Sequence, residues 1–316
     1  MWLQLSHNDL DGMGCLLLGR KMGIKYSYIC SYTENSKYYF GNVLSDFAHM
    51  FNDETIEGLL ITDINLTPIF VDILEATVPE RIKVISIDHH EDSVKEHNRY
   101  KIHHDTSLSA TKIMYNLLKD KLDIAKYREC INAINGFDTW EFETSPFAVD
   151  LQRVFYYYVF MEEKFKYIKY FIKLNNFVDL LENDPPTNTY KPKWYNNFLA
   201  QYHERKDILI NPIIENVLDM GGVYNVYKFK KNNYAPAFEV SIHAQNAGIE
   251  NFILIFEDDN TFTVSLRTNS DRISVNEFAS LKDGGGHQKA SSFRIPLNEQ
   301  ELTNTLNDLQ EFYSGG

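Results

Sequence analysis

The fold class is decided by the stretch Ile82-Lys83-Val84-Ile85-Ser86-Ile87-Asp88-His89-His90. Residues 82–87 form a mostly apolar run of strand length, and a carboxylate and two imidazoles follow it directly. Two adjacent imidazoles at a buried strand end are hard to explain by packing, because each needs its own hydrogen-bond partners. We therefore interpret Asp88, His89 and His90 as part of a metal-hydrolase site.

Similar runs of strand length lie upstream of this stretch, at residues 2–6, 25–30 and 58–62. Helix-like segments alternate with the predicted strands, at residues 12–22, 37–51 and 109–119, the last with Ser107 as its predicted N-cap. This alternation is typical of α/β proteins, in which a mainly parallel sheet carries helices on both faces. Ligands of such open sheets bind at the carboxyl ends of the strands. The sequence therefore predicts an α/β domain with its site at the strand ends.

Further histidine and aspartate side chains follow other predicted strand and helix ends. His7, Asp9 and Asp11 alternate in the loop after the first strand, Asp63 follows residues 58–62, and Asp138 follows a helix-like segment. Each of them alone also fits a polar turn or a helix cap. Taken together, mixed histidine and aspartate ligands suit manganese or iron better than calcium.

The composition changes beyond this first region. Residues 151–177 are rich in Phe, Tyr, Lys and Glu, which we interpret as long helices packing on the catalytic half. For the Phe and Tyr residues between 151 and 202 we favour a helical core over a stacking surface for bases. Prolines at 185, 186, 192 and 212 interrupt helices. We therefore predict three parts: a catalytic domain at 1–182, a linker at 183–215 and a substrate-binding domain at 216–316.

The last 100 residues show short strand signals, at residues 222–229, 237–242, 252–256, 262–267 and 290–295. Helix signals lie at 274–281 and 298–313, so we predict a smaller α/β domain. It carries Gly284-Gly285-Gly286-His287 in a predicted loop. Consecutive glycines allow close approach of backbone N–H groups to a ligand, although a tight turn explains them equally well. Arg267, at the end of a predicted strand, offers forked contacts to phosphate oxygens.

Composition and charge restrict the classes of partner. The formal net charge of -13 argues against a long duplex, whose binding requires many Lys and Arg contacts to phosphates. Three cysteines are too few for a disulfide framework and predict reduced, buried thiols. No stretch approaches the ~20 consecutive apolar residues of a membrane span, and the start lacks the features of a signal peptide. We expect a soluble, cytoplasmic protein without a membrane partner.

In this order, the motifs resemble those of the DHH phosphoesterase superfamily with its DHH-associated C-terminal domain. The resemblance covers almost the whole chain, except residues 141–215, which match no motif. It rests on His7-x-Asp9-x-Asp11-Gly12, Asp63, Asp88-His89-His90, Asp138 and Gly284-Gly285-Gly286-His287-x-x-Ala290. The resemblance implies a phosphohydrolase that uses two Mn²⁺ ions, although other divalent metals fit the same ligands. It also implies that the active site lies in the cleft between the two domains.

The same resemblance implies a role for each motif residue. His7 and Asp9 would bind one metal, while Asp11, His89 and Asp138 would bind the other. Asp63 would bridge both metals and take part in catalysis. The remaining residues would face or support the substrate: His90 at the reacting phosphate, Asp88 orienting the metal-binding histidine, and Gly284, Gly285, Gly286, His287 and Arg267 at the terminal phosphate.

The spacing of the first motif narrows the choice of branch. His7 and Asp9 are separated by Asn8 alone, which looks more like the branch that degrades short oligoribonucleotides, the nanoRNases. We therefore expect a manganese-dependent phosphodiesterase that releases nucleoside monophosphates from short RNA or linear dinucleotides. A 3'-phosphoadenosine 5'-phosphate phosphatase or a cyclic-dinucleotide phosphodiesterase remains an alternative. A nucleotide-binding sensor or sponge is the alternative without catalysis, and a homodimer is compatible with each of these.

Overall fold

Two compact units make up the chain in a computed structural model, Met1–Tyr202 and His203–Gly316. The structure describes residues 1–30, 44–45, 48–141, 145–161, 170–229 and 236–315. Most of the predicted helix at 37–51 lies outside these ranges; its end includes a 3₁₀ turn, Met50–Asn52. None of the helices in the described ranges combines the length and the apolar character needed to cross a membrane. Cys15, Cys30 and Cys130, all within the described ranges, are buried and form no disulfide.

The first unit contains a parallel sheet in the order β2-β1-β3-β4-β5. Its strands are β1 (Trp2–His7), β2 (Tyr26–Cys30), β3 (Gly58–Thr62), β4 (Lys83–Asp88) and β5 (Lys101–His104). Every residue of β3 is buried, as expected for a central parallel strand covered on both faces. One face packs a core around Leu3, Leu59 and Val84. The predicted α/β class and the four predicted strands of this sheet are confirmed.

Helices surround this sheet. They are α1 (Leu10–Lys21), α2 (Pro68–Thr77), α3 (Ala110–Leu118), α4 (Arg128–Asp138), α5 (Pro146–Tyr156) and α6 (Tyr170–Asn183). A π-helical turn, Tyr157–Met161, follows α5. Ser109, not Ser107, is the N-cap of α3, because the Ser109 hydroxyl accepts the Lys112 N–H while Ser107 donates to Asp105. The predicted N-cap was therefore wrong by two residues.

A long helix occupies most of the predicted linker at 183–215. This helix, α7 (Lys193–Ile214), contains the boundary between the two units and includes Pro212 in its last turn. Proline removes the hydrogen bond to the carbonyl four residues earlier, here that of Ile208. Ile208 is 75% exposed, so water can solvate that carbonyl. We expected Pro212 to interrupt a helix, but α7 continues through it to Ile214.

The second unit contains a six-stranded sheet in the order β10-β11-β9-β8-β7-β6. Its strands are β6 (Leu218–Asp219), β7 (Asn225–Phe229), β8 (Asn251–Glu257), β9 (Thr261–Thr268), β10 (Gly285–His287) and β11 (Ala290–Pro296). Its helices are α8 (Ala237–Asn246), α9 (Val275–Ser280) and α10 (Glu299–Gly315). The β7–β8 pair is parallel and the other pairs are antiparallel.

Two predictions for the second unit were wrong. Residues 237–242 form the start of α8 instead of a strand, and its buried Val240 and Ala244 lie four positions apart, as a helix face requires. The glycine-rich segment, predicted as a loop, forms β10 and pairs with β11. Both segments are short, so their state depends on the neighbouring elements.

Candidate metal centre

The strand register of the first sheet places three candidate residues at one level. Ser6 pairs with Thr62, and Thr62 pairs with Ile87. The residues that follow them, His7, Asp63 and Asp88, therefore lie side by side at the ends of β1, β3 and β4. The N–H of Asp63 donates to the Ile87 carbonyl oxygen at 2.9 Å, after which the chain leaves the sheet. Asp63 has a φ of +55°, a left-handed conformation that few non-glycine residues adopt. Strained backbone of this kind often occurs at functional sites.

One group of candidate ligands consists of His7, Asp9 and Asp63. Nδ1 of His7 lies 2.8 Å from Oδ2 of Asp9 and 3.6 Å from Oδ2 of Asp63. One ligand atom from each of the three residues lies within 4.8 Å of the others. This spacing lets a single cation contact all three side chains.

The other oxygen of Asp63 faces a second group, formed with Asp11, His89 and Asp138. Nε2 of His89 lies 3.4 Å from Oδ1 of Asp63 and 3.3 Å from Oδ2 of Asp138. Ligand atoms of Asp11, Asp63 and His89 also lie within 4.8 Å of one another. Asp11, Asp63 and His89 are buried, with at most 3% exposure. Asp63 therefore presents one carboxylate oxygen to each group.

Two oxygens of these carboxylates have no hydrogen-bond partner among the described residues: Oδ2 of Asp63 and Oδ2 of Asp138. Burial, together with the negative charges of Asp9 and Asp11, raises the pKa of Asp63 well above its ordinary value. Burial likewise raises the pKa of Asp138. A buried carboxylate oxygen without a donor is costly, and a bound cation removes that cost. The oxygen and nitrogen donors present fit a divalent transition metal.

His7 and Asp9 form a charge-stabilised pair within the first group. Burial alone would lower the pKa of His7, but the negative charges of Asp9 and Asp63 and the hydrogen bond to Asp9 raise it well above its ordinary value. Burial alone would raise the pKa of Asp9, but the charge of His7 and its hydrogen bond lower it. A metal ion bound by His7 and Asp9 would replace the proton that this pair holds.

Local helix geometry holds Asp9 and Asp11 in place. Oδ1 of Asp9 accepts the Gly12 N–H at 2.9 Å as the N-cap of α1, so the capping role considered from sequence is present as well. A Cβ at position 12 would collide with the His7 carbonyl oxygen, which explains the glycine there. Asp11 accepts two N–H groups from the start of α3, those of Ala110 at 2.8 Å and Thr111 at 3.0 Å.

Asp88 contacts a different histidine from the one we expected. Its Oδ1 lies 2.8 Å from Nδ1 of His90, and its Oδ2 accepts the Ser93 hydroxyl. Burial alone would raise the pKa of Asp88, but His90 lowers it below its ordinary value. Asp88 therefore forms a hydrogen-bonded pair with His90, whereas we expected it to orient the candidate metal ligand His89. Nε2 of His104 lies 2.7 Å from the His90 carbonyl oxygen.

The second unit places its candidate anion-binding residues in one row of its sheet. His287 pairs with Ala290, and Ala290 pairs with Arg267, so the three side chains point to the same face. Ala290 is small, which leaves space between His287 and Arg267. Nη1 of Arg267 donates to the Ser265 hydroxyl at 2.7 Å and to the Leu266 carbonyl at 2.8 Å. Burial lowers the pKa of Arg267 to about 10, so it stays protonated at neutral pH.

The glycines of this segment have structural roles in the sheet. The N–H of Gly284 donates to the Ala279 carbonyl oxygen at 2.9 Å, so this N–H is used within the protein. Gly286 has a φ of +143°, and a Cβ there would lie 2.5 Å from the Ala290 carbonyl oxygen. Gly285 pairs with Ser292 within the sheet. Close packing of β10 on β11 therefore explains Gly284 and Gly286.

Supporting residues were missed at the level of sequence. The Thr111 hydroxyl donates to the Asp11 carbonyl oxygen at 2.6 Å, and Nδ2 of Asn8 donates to the Tyr170 hydroxyl at 3.2 Å. Each pair joins positions about 100 residues or more apart, and no local pattern signals such a contact. Ser109, two residues before Thr111, is of a residue type that favours the N-cap, but we had assigned that position to Ser107.

The chain resembles several solved structures in fold, at low sequence identity. No protein-family model and no curated protein matches the sequence. The pGpG-specific phosphodiesterase PggH from Vibrio cholerae matches with 13% identity and a TM-score of 0.60, over 100% of this chain and 99% of its own. The DHH domain of a protein described as a member of a ribosomal protein family matches with 13% identity and a TM-score of 0.61, over 98% of this chain and 87% of its own.

A third match is RecJ from Thermus thermophilus in complex with Mn²⁺, with 13% identity and a TM-score of 0.58. It aligns over 100% of this chain and 52% of RecJ, so this chain spans about half of that protein. Identities this low show a shared fold. These matches show that the chain shares the fold of these three proteins, one of which is described as a DHH domain.

Proposed function

We propose that this chain is a phosphodiesterase that uses two Mn²⁺ ions to hydrolyse short oligoribonucleotides or linear dinucleotides to nucleoside monophosphates. The observation that carries the proposal is the position of Asp63. Its two oxygens face two groups of histidine and aspartate side chains, at 3.6 Å from His7 and 3.4 Å from His89. A carboxylate in this position suits a pair of metal ions that share one ligand.

In this proposal His7, Asp9 and Asp63 would hold the first ion, and Asp11, Asp63, His89 and Asp138 would hold the second. Two divalent ions at such a site lower the pKa of a bound water and stabilise the charge that develops at phosphorus. The four aspartates balance the charge of the ions, while neutral histidines complete the ligand set without adding charge. An anionic phosphodiester can then still approach.

His90 is proposed to contact the reacting phosphate. Asp88 accepts a hydrogen bond from Nδ1 of His90, which fixes the proton on that nitrogen and directs Nε2 away from Asp88. The side chain of His90 is 17% exposed, so substrate can reach it. Ser93 holds the other oxygen of Asp88 and keeps the pair in place.

The row formed by His287, Ala290 and Arg267 is proposed to bind the terminal phosphate of the substrate. A protonated guanidinium offers forked hydrogen bonds to phosphate oxygens, and His287 adds a second polar group across the small Ala290. The net charge of -13 supports a short substrate over a long duplex. The fold likeness to PggH, named as pGpG-specific, supports a linear dinucleotide.

Product analysis with labelled substrates tests this proposal. We expect Mn²⁺ and a 5'-labelled diribonucleotide to give nucleoside monophosphate, and excess EDTA to abolish the reaction. Release of inorganic phosphate from 3'-phosphoadenosine 5'-phosphate with no cleavage of the dinucleotide would favour the phosphatase. Opening of a cyclic dinucleotide alone would favour the cyclic-dinucleotide enzyme. Recovery of bound, unchanged dinucleotide would favour the sensor.

A further inference from the structure

An aromatic cluster adjoins the candidate metal centre in the first unit. Tyr170, at the start of α6, has its ring centroid 5.7 Å from that of Phe160 and 5.9 Å from that of Phe171. Tyr156 extends the cluster, with its centroid 4.9 Å from that of Phe160. The four rings therefore form one aromatic cluster, which we call the Phe160–Phe171 surface after its two exposed members.

Tyr170 joins this surface to the metal-binding loop. Its hydroxyl accepts a hydrogen bond from Nδ2 of Asn8 at 3.2 Å and donates to the Asn8 carbonyl oxygen at 3.4 Å. Asn8 lies between His7 and Asp9, both of the first ligand group. Burial, together with the negative charge of Asp9, raises the pKa of Tyr170 to about 12, so the hydroxyl stays protonated. Tyr170 therefore connects the Phe160–Phe171 surface to the loop that carries His7 and Asp9.

The exposure of the surface distinguishes it from the other aromatic residues of this region. Phe155, Tyr157, Tyr158 and Phe177 are buried and belong to the helical core that we expected. Phe160 and Phe171, in contrast, are 47% and 43% exposed. Phe160 lies on the π-helical turn Tyr157–Met161, a feature that is frequent at functional sites. Phe160 and Phe171 are therefore not part of that buried core and are open to solvent.

We propose that the Phe160–Phe171 surface stacks the base of the nucleotide whose phosphate lies at the metal centre. This inference rests on the function proposed above. Bases present a flat π-face that stacks on aromatic side chains, whatever the base. Phenylalanine has no hydrogen-bonding group with which to read a base edge. The enzyme therefore requires a base at this position but discriminates little among the four bases.

Kinetics with abasic substrates test this requirement. The probes are a diribonucleotide and its two analogues in which one or the other base is replaced by hydrogen. For the wild-type enzyme we expect kcat/KM to be roughly 5- to 150-fold lower with one of the analogues than with the intact dinucleotide. This is the range for loss of one base–aromatic stack. Phe160→Leu and Phe171→Leu should lower kcat/KM for the intact dinucleotide but leave that analogue unaffected.

A matched control and a second readout separate stacking from folding. Tyr26→Leu removes a 50% exposed ring from the start of β2, at the opposite end of the β1–β2 pair from His7, and should change kcat/KM for neither substrate. The second readout is the fluorescence of 2-aminopurine riboside 5'-monophosphate in the presence of EDTA. Wild-type protein should quench it by stacking, and Phe160→Leu and Phe171→Leu should quench it less.

Three outcomes would overturn the inference. One is an equal loss of kcat/KM for the intact and abasic substrates in the variants, and another is equal quenching by wild type and variants. The third outcome is a dimer, measured by light scattering, that Phe160→Leu converts to a monomer while kcat/KM shows no base-dependent change. The surface would then be a contact between two copies of the chain. No dinucleotide cleavage by wild type with Mn²⁺ would refute the proposed function instead, and quenching would still test the surface.

Discussion

Oδ1 of Asp63 lies 3.4 Å from Nε2 of His89, although 25 residues of chain separate them. The two residues meet because β3 and β4 are parallel neighbours, with Thr62 paired to Ile87. Each strand therefore delivers its next polar residues to the same edge of the sheet. Since Oδ2 of Asp63 faces His7 from β1, the order β1-β3-β4 brings three strand ends together around one carboxylate.

Removing the charge of Asp63 tests its bridging position. We expect Asp63→Asn to lower kcat/KM with Mn²⁺ by about 1,000-fold or more, because both ligand groups lose a shared anionic ligand. Isothermal titration calorimetry should show weaker Mn²⁺ binding by the same variant. Asp72→Asn, an exposed carboxylate on α2, is the matched control and should behave as wild type. Full activity of Asp63→Asn would refute the two-metal assignment.

The stability of the metal-free protein should depend on pH. Burial, with the charges of its neighbours, raises the pKa of Asp63, and burial raises that of Asp138. The pKa of His7 is also raised, because the charges of Asp9 and Asp63 outweigh burial. A group whose pKa is higher in the folded than in the unfolded state stabilises the protein fully at pH values below its unfolded pKa, which is about 3.9 for Asp and 6.5 for His. This stabilisation is lost as the pH rises through the folded pKa.

We therefore expect the Tm in EDTA to fall between about pH 5 and pH 8, and Mn²⁺ to raise the Tm more at pH 8 than at pH 5. Differential scanning fluorimetry measures both effects. Asp9 and Asp88 have lowered pKa values, so their contributions are lost only below about pH 4, outside this window. A Tm in EDTA that rises from pH 5 to pH 8 would contradict the prediction.

Much of the first unit could be predicted from sequence, for a physical reason. Buried parallel strands read as continuous apolar runs, and the predicted strand at 58–62 matches β3. The polar residue that follows such a run must lie at the carboxyl edge of the sheet. This logic predicts that Asp63 and Asp88 lie at the same edge, as they do, whereas their roles as ligand and positioning group stay predictions.

The errors arose where distant parts of the chain decide the local state. Residues 237–242 contain Val and Ile, which suit a strand, but the helix face with Val240 and Ala244 packs against Phe252 and Leu254 of the sheet. Asp88 contacts His90 through Oδ1 and Ser93 through Oδ2, whereas we expected it to orient His89. No spacing rule in a single sequence predicts which of two adjacent histidines a carboxylate will contact.

The corrected N-cap of α3 gives a stability prediction with an internal control. Ser109→Ala removes the acceptor of the Lys112 N–H, 3.3 Å away, at a fully buried position. We expect this variant to lower the free energy of unfolding by about 1 kcal/mol, with a range of about 0.5–2. Ser107→Ala, two residues earlier and exposed, should cost less than about 0.5 kcal/mol. Equal losses in urea denaturation would contradict the assignment of Ser109.

The proposed phosphate site of the second unit makes a prediction about substrate ends. Arg267→Gln removes a protonated guanidinium that offers forked hydrogen bonds, each worth roughly 1.5–3 kcal/mol when one partner is charged. We therefore expect kcat/KM for a 5'-phosphorylated dinucleotide to fall about 10- to 100-fold. The same dinucleotide without its 5'-phosphate should be hydrolysed equally by variant and wild type, because it lacks the group that Arg267 binds. Arg294→Gln, an exposed arginine on β11, is the control. Equal losses for both dinucleotides would show that Arg267 acts through its hydrogen bonds to Ser265 and Leu266 alone, as a structural residue of β9.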